Sequence, residues 1–227
     1  VGVSRIRNWA FGGCGSLTSL RLPASVVTIA GETARSPDCS LFGKTLPLSR
    51  SGTAVFDAPC LTNISVAAEN PVYRDIGGVL FSKDGATLLA FPAGRGGNYA
   101  VPVGVSRIRN WAFGGCGSLT GVTFPDSVTT IGGAAFGFCA GLKDIAFGSG
   151  TVDIGDFAFF RCGVTSAAFP DSVANIGDGA FYECASLTNV VFGAGLTNIG
   201  YGAFGDCDGL ASVTLPGGVT RVGDYAF

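Results

Sequence analysis

Eight cysteines, sixteen acidic residues and no histidine bound the chemistry open to this 227-residue chain. Cys14, Cys116, Cys139, Cys162, Cys184 and Cys207 each follow an Ala-Phe pair at the same spacing, and Cys60 sits in a slightly shifted version of that slot. Cys39 falls outside the pattern. No Cys-x-x-Cys occurs, so a zinc site without histidine would need four scattered thiolates to converge. Side chains at one repeat slot stack about 5 Å apart, the rung spacing of a sheet. That is wider than the ~3.5–4.5 Å between Cβ atoms that a disulfide prefers. The cysteines therefore read as a column of buried free thiols acting as small hydrophobes.

The carboxylates are equally regular. Asp126 and Asp171 follow Pro, and Asp156, Asp178 and Asp224 follow Gly, two residues before an Ala. Those are slots for turns and for capping a short helical turn. A catalytic carboxylate pair would break the repeat and converge in a cleft. Without histidine there is no His-based triad, and no Gly-rich phosphate loop with Lys-Ser/Thr is present. We therefore expect no enzyme activity, no catalytic or metal-binding residues and no cofactor. The net charge of −2 and the few arginines of Arg5, Arg7, Arg107 and Arg109 argue against a nucleic-acid partner. No apolar run is long enough to span a membrane.

The elements that carry these residues repeat. The Ala-Phe pair returns at Phe113, Phe136, Phe159, Phe181, Phe204 and Phe227, in steps of 22 or 23 residues. A fixed period of this size means a solenoid whose coils bury their apolar sides only against each other. In residues 119–141, Leu119, Val122 and Phe124 have the spacing of a short strand with alternate residues inward. Pro125-Asp126 makes a turn, Val128 and Ile131 a second extended segment, and Gly132 a bend requiring either φ > 0 or close backbone approach. Ala135-Phe136 and Cys139 then read as a short helical turn. Stacking predicts an aromatic spine of Phe113, Phe136, Phe159, Phe181 and Phe204.

The phrase Leu-x-x-Val-x-Phe-Pro-x-x-Val-x-x-Ile-Gly-x-x-Ala-Phe-x-x-Cys resembles the BspA-type, or Treponema pallidum-type, leucine-rich repeat, closely over 103–227 and well over 1–29. The resemblance implies a curved right-handed leucine-rich-repeat solenoid, β-dominated, with a parallel β-sheet on one face. It also implies a surface or secreted protein of a host-associated organism, extracellular in location, that adheres to host matrix or plasma proteins. The non-enzymatic alternative is a spacer that holds another domain away from the cell envelope.

Within one solenoid over 1–227, of about nine full or partial coils, three zones differ. Regular coils fill 103–227, and 30–56 is a degenerate coil. Around 67–102, Gly78–Phe81 and Thr87–Phe91 flank Lys83-Asp84-Gly85 as a hairpin, either a structural insertion or a projecting binding element. Asn70 to Asp84 also resembles a hairpin-bearing variant unit of the same family. Residues 1–18 repeat 103–120 identically, the mark of a duplicated block. With no Met, and ends that fall within coils, the chain reads as a segment of a longer protein whose ends associate end to end. The outward strand positions, from Ser19 and Arg21 to Ser212 and Thr214, are small and mostly neutral. The candidate partner contacts are Tyr73, Lys83, Asp84, Tyr99, Trp9, Trp111, Tyr182 and Tyr201.

Overall fold

A computed structural model describes residues 2–7, 10–29 and 58–227, with the backbone of Ser40–Leu41 and Lys44–Thr45. Trp9, Cys39 and most of the degenerate coil lie outside the described residues. The chain winds into a β-solenoid of about eight turns with parallel sheets and, among the described residues, no helix.

Two ladders run along it. The first is built from the Leu-x-x-Val-x-Phe strands. Ser19–Leu22 pairs with Asn63–Val66, Leu119–Thr123 lies between Gly97–Ala100 and Asp144–Ala146, and Ser166–Ala168 pairs with Asn189–Val191. The second is a nine-stranded sheet running from Tyr73–Ile76 to Arg221–Val222. Its parallel part keeps like on like, so that Ile131, Ile154, Ile176 and Ile199 form one row. A strand of two residues cannot bury itself, and register along the array is set by these rows.

The Ala-Phe-x-x-Cys segment is not a helical turn. It is a run of tight turns closed by bonds such as Gly137 N–H to Ala134 O and Cys139 N–H to Phe136 O. Its backbone enters the left-handed region two residues before the spine phenylalanine (Trp111, Ala134, Phe157) and two after it (Phe138, Arg161, Glu183, Asp206). The expected capping aspartates work between coils instead. Asp156 Oδ1 accepts from Asp178 N–H at 2.9 Å, and Asp178 Oδ1 from Tyr201 N–H at 2.7 Å.

The recurring Gly132, Gly155, Gly177, Gly200 and Gly223 resolve the choice left by the sequence. None has a positive φ. A Cβ at Gly200 would lie 2.5 Å from Asp178 N, and one at Gly177 would lie 2.7 Å from Asp156 N. These glycines let adjacent backbones touch.

The spine forms and extends further than expected. Phe91, Phe113, Phe136, Phe159, Phe181, Phe204 and Phe227 stack with successive ring centroids 4.4–5.5 Å apart. A second column of Phe124, Phe147, Phe169 and Phe192 meets it edge-on.

The hairpin zone does not project. Tyr73–Ile76, Val79–Ser82 and Thr87–Ala90 form an antiparallel meander, and the last strand passes into the parallel ladder beside Arg107–Ile108. Val79, Phe81 and Leu88 face the main core, whereas Tyr73, Leu80 and Ala90 face a separate N-terminal core with Leu22, Val26 and Ile64. Alternation along the middle strand sends Leu80 to the face opposite Val79 and Phe81. The meander is therefore a wall between two cores, covered on both sides.

Removing a central spine ring leaves a void that rigid flanking coils cannot fill. Phe136→Ala should destabilise the fold by roughly 3–5 kcal/mol, read by urea titration; an unchanged midpoint would show that the stack carries no stability.

Candidate interaction surfaces

The strand ladder presents its outward residues in register. Ser19, Arg21, Asn63, Thr123, Asp144, Ala146, Ser166, Ala168, Asn189 and Val191 are exposed. Ser65 is half-buried, and Gly121 is buried because the Asn98 side chain covers it and accepts a bond from Thr120 Oγ1. This face admits close approach but carries few of the aromatic and arginine anchors of a tight interface.

The proposed contact residues scatter. Tyr73 is buried, and its hydroxyl accepts from Ile29 N–H at 2.9 Å, tying the meander to the first coils. It cannot offer its ring to a partner. Tyr99 is half-buried against Phe91 and Phe113, with the Arg95 guanidinium 5.9 Å from its ring. Burial pushes its hydroxyl up to about 12, opposed by the Arg95 charge. Lys83 and Asp84 are exposed at the meander's second turn, where both are engaged locally. Lys83 Nζ donates to Ala68 O, and Asp84 accepts from Ser82 Oγ and Ala86 N–H.

Trp111 and Tyr182 belong to a separate aromatic stripe with Phe138, Phe157 and Phe160, apart from the main core. Its rings lie over bare backbone of the following coil, as a Cβ on Gly179 would strike the Phe157 ring and one on Gly205 would crowd Tyr182. Arg161 stands over Phe138 and Phe160, with its guanidinium 5.8 and 5.1 Å from the ring centres, and pairs two-pronged with Glu183. The Tyr182 hydroxyl donates to Asp206 Oδ2 and is held at about 12, by burial first and then by that bond and charge. Tyr201 is half-buried, 5.6 Å from Tyr225, which is 72% exposed. Phe138, Phe160, Arg161 and Glu183 were missed by sequence reasoning. Their one signal is an extra aromatic one or two residues after the spine Phe, at offsets that shift from coil to coil.

Five cysteines, Cys116, Cys139, Cys162, Cys184 and Cys207, are buried and form no disulfide. Each thiol from Cys139 onward donates to the carbonyl of the spine phenylalanine one coil earlier, at 3.0–3.1 Å. Cys14 and Cys60, expected in or near the same column, are exposed instead. Burial pushes the Cys162 and Cys184 thiols well up, and Cys207 to about 11. The turn carboxylates also serve the fold, since Asp126 and Asp171 accept backbone N–H bonds from Ser149 and Ala194 of the next coil. No group of three or more potential metal ligands occurs among the described residues.

Repeated coils of one phrase, two parallel ladders and a turn column define a leucine-rich-repeat solenoid. The chain matches the BspA type Leucine rich repeat region in six copies, over residues 1–83 and 106–227, and belongs to that family. No curated protein matches it. Among solved structures it is similar to a leucine rich cell surface protein from Faecalibacterium prausnitzii, with TM-score 0.73 and 28% identity over 92% of this chain and 50% of that one. A leucine-rich repeat protein from Bacteroides ovatus matches at TM-score 0.59 and 28% identity, over 69% of this chain and 41% of that one. The pneumococcal vaccine antigen PcpA shares the fold at TM-score 0.72 and 21% identity, over 92% of this chain and 47% of that one. The chain thus spans half or less of the length of these proteins.

Two outcomes follow from the thiol column. Maleimide labelling of the native protein with peptide mapping should mark Cys14 and Cys60 and spare Cys139, Cys162 and Cys184; labelling of the latter would contradict the burial. Thiols raised by folding contribute stability that is complete below the unfolded thiol value of about 8.5 and is lost as pH climbs through the folded values. The thermal midpoint should hold to about pH 8 and fall above about pH 9, with a shallower fall in Cys207→Ala. A flat midpoint through about pH 10.5 would mean that the thiols do not resist ionisation.

Proposed function

We propose that this chain is a non-enzymatic recognition module of a surface or secreted protein, which binds extracellular proteins of a host by adhesion to matrix or plasma components. The observation that carries this reading is the strand face: exposed side chains held in register along a stiff array, a geometry suited to many weak contacts acting together. The family, and the cell-surface description of the Faecalibacterium relative, support an extracellular location. No described helix is long and apolar enough to cross a membrane. Lys83, Asp84, Tyr99, Trp111 and Tyr201 remain candidate contacts because part of each reaches solvent, and the Arg161–Glu183 pair on the aromatic stripe joins them.

A spacer role is the second reading. It is favoured by the small, neutral character of the strand face, which lacks hot-spot residues.

The test is binding of the chain to immobilised host matrix and plasma proteins, compared with a Thr123→Lys/Ala146→Lys/Ala168→Lys variant. All three positions are exposed, and because the lysines stack in register, the urea midpoint of the variant is checked before binding is compared. Deleting 67–102 would be uninformative, because those residues wall the core. Saturable binding weakened by about tenfold or more in the variant supports recognition through the strand face. Absence of saturable binding to every protein tested favours the spacer.

A further inference from the structure

The buried cysteines form a row of equivalent sulfurs inside the main core. The thiols of Cys139, Cys162, Cys184 and Cys207 take the same pose, each donating to the carbonyl of the spine phenylalanine one coil earlier at 3.0–3.1 Å. Cys116 continues the row at 0% exposure, and the Cys139 sulfur lies within hydrogen-bonding reach of the Cys116 and Cys162 sulfurs on either side. Side chains in one pose repeat at the rise of the coils. The spine rings, three residues before each cysteine, show that rise. Their centres are 4.4 Å apart from Phe113 to Phe136, and 5.0 Å apart from Phe136 to Phe159 and from Phe159 to Phe181. Successive sulfurs are therefore about 4.8 Å apart, the rung spacing of a sheet.

That spacing is too wide for a disulfide, whose sulfurs sit about 2 Å apart. It suits a cation held between two sulfurs. A bond from a closed-shell soft metal to a thiolate is about 2.3 Å long, so two in line span about 4.6 Å. Zinc needs four ligands, and each gap in the column offers two. Hard cations need oxygen ligands, whereas the core around these sulfurs is apolar, with Phe136, Leu142, Phe159 and Val164 among its members. The class left is a soft monovalent cation that accepts two ligands in line. Copper(I) is the member of that class that thiolates select.

We infer that the gaps between successive buried cysteines bind copper(I), one ion bridging two sulfurs of adjacent coils. At each bridge the ion replaces the proton of one thiol and takes a lone pair from the neighbouring sulfur, which keeps its proton. Cys–SH, Cu+ and HS–Cys thus give Cys–S–Cu–S(H)–Cys and H+, the proton leaving to solvent. No electron is transferred. The bridge is neutral, so no net charge enters the core, where it would be costly. The row from Cys116 to Cys207 holds two such bridges that share no sulfur. The ion enters when a coil opens locally, which takes less free energy than unfolding the array.

The test is copper(I) binding at equilibrium, without oxygen, in competition with a coloured copper(I) chelator. The full chain carries Cys14→Ala/Cys39→Ala/Cys60→Ala, which leaves only the column. Two double variants are compared on that background, each keeping three thiols. Cys139→Ala/Cys184→Ala leaves Cys116, Cys162 and Cys207, no two of them in adjacent coils. Cys116→Ala/Cys207→Ala leaves Cys139, Cys162 and Cys184 in succession. Bridging predicts that the background binds two ions, that the successive variant binds one, and that the alternate variant binds about a hundredfold or more weakly. In urea the two double variants should bind alike, because only the fold makes the sulfurs neighbours. Equal affinities of the folded double variants would overturn the bridge, and so would a difference that persists in urea. Urea midpoints check folding. If an alanine void unfolds a variant, serine at the same positions, whose hydroxyl donates to the same carbonyl, gives the same comparison.

Discussion

In six successive coils the spine phenylalanine donates its amide to the alanine carbonyl of the next coil, at 2.7 Å each time. That bond, with the ring stacked above it, fixes the rise from coil to coil on the turn side. The strands on the other sides must then meet at the same rise, so isoleucine falls on isoleucine and the strand face stays in register. No coil could hold this geometry alone. Two-residue strands and single turns order too few bonds to offset the entropy of fixing the chain, and only stacking supplies the burial that does. The small residues follow from the same constraint. Glycine at 177, 200 and 223 is needed where successive backbones touch, and cysteine fits beside the spine, where its thiol bonds a carbonyl that already accepts from the cysteine's counterpart amide.

The meander changes what the rest of the molecule can do. A solenoid of uniform coils transmits one core along its whole length, but Val79–Ser82 inserts a strand with an apolar residue on each side. The N-terminal and main cores are thereby separated, and Tyr73 is drawn inward to bond Ile29. The meander still exposes Val72, Arg74 and the second turn at Lys83 and Asp84. The surfaces available to a partner thus include the strand face and the aromatic stripe. They differ in kind: the first is small and polar, the second aromatic with a clamped arginine.

The stripe carries backbone strain. Trp111, Phe157 and Tyr225 hold left-handed conformations at a slot where Gly179 and Gly202 stand in other coils. Such a conformation costs a residue with a side chain about 1–2 kcal/mol. The Phe157 ring recovers part of this by lying on Gly179, so a bulky residue in one coil is matched by a bare one in the next. This pairing of large and small across coils resists slippage in an array whose repeats otherwise resemble each other closely.

The sequence by itself determined the period, the solenoid, the spine and the cysteine column, because each depends on like residues recurring at one spacing. The family was legible for the same reason. The tertiary structure alone decided matters that depend on contact between coils. It turned the expected caps of Asp156 and Asp178 into bonds to the next coil and made the recurring glycines points of contact rather than left-handed bends. It left Cys14 and Cys60 exposed and decided in favour of a structural insertion where the hairpin could also have projected. It also assembled Phe138, Phe160 and Tyr182 from offsets that share no register. Periodicity reports which residues are equivalent; it carries no information on which atoms of neighbouring coils meet, since those contacts join residues some 22 or 23 positions apart in the chain.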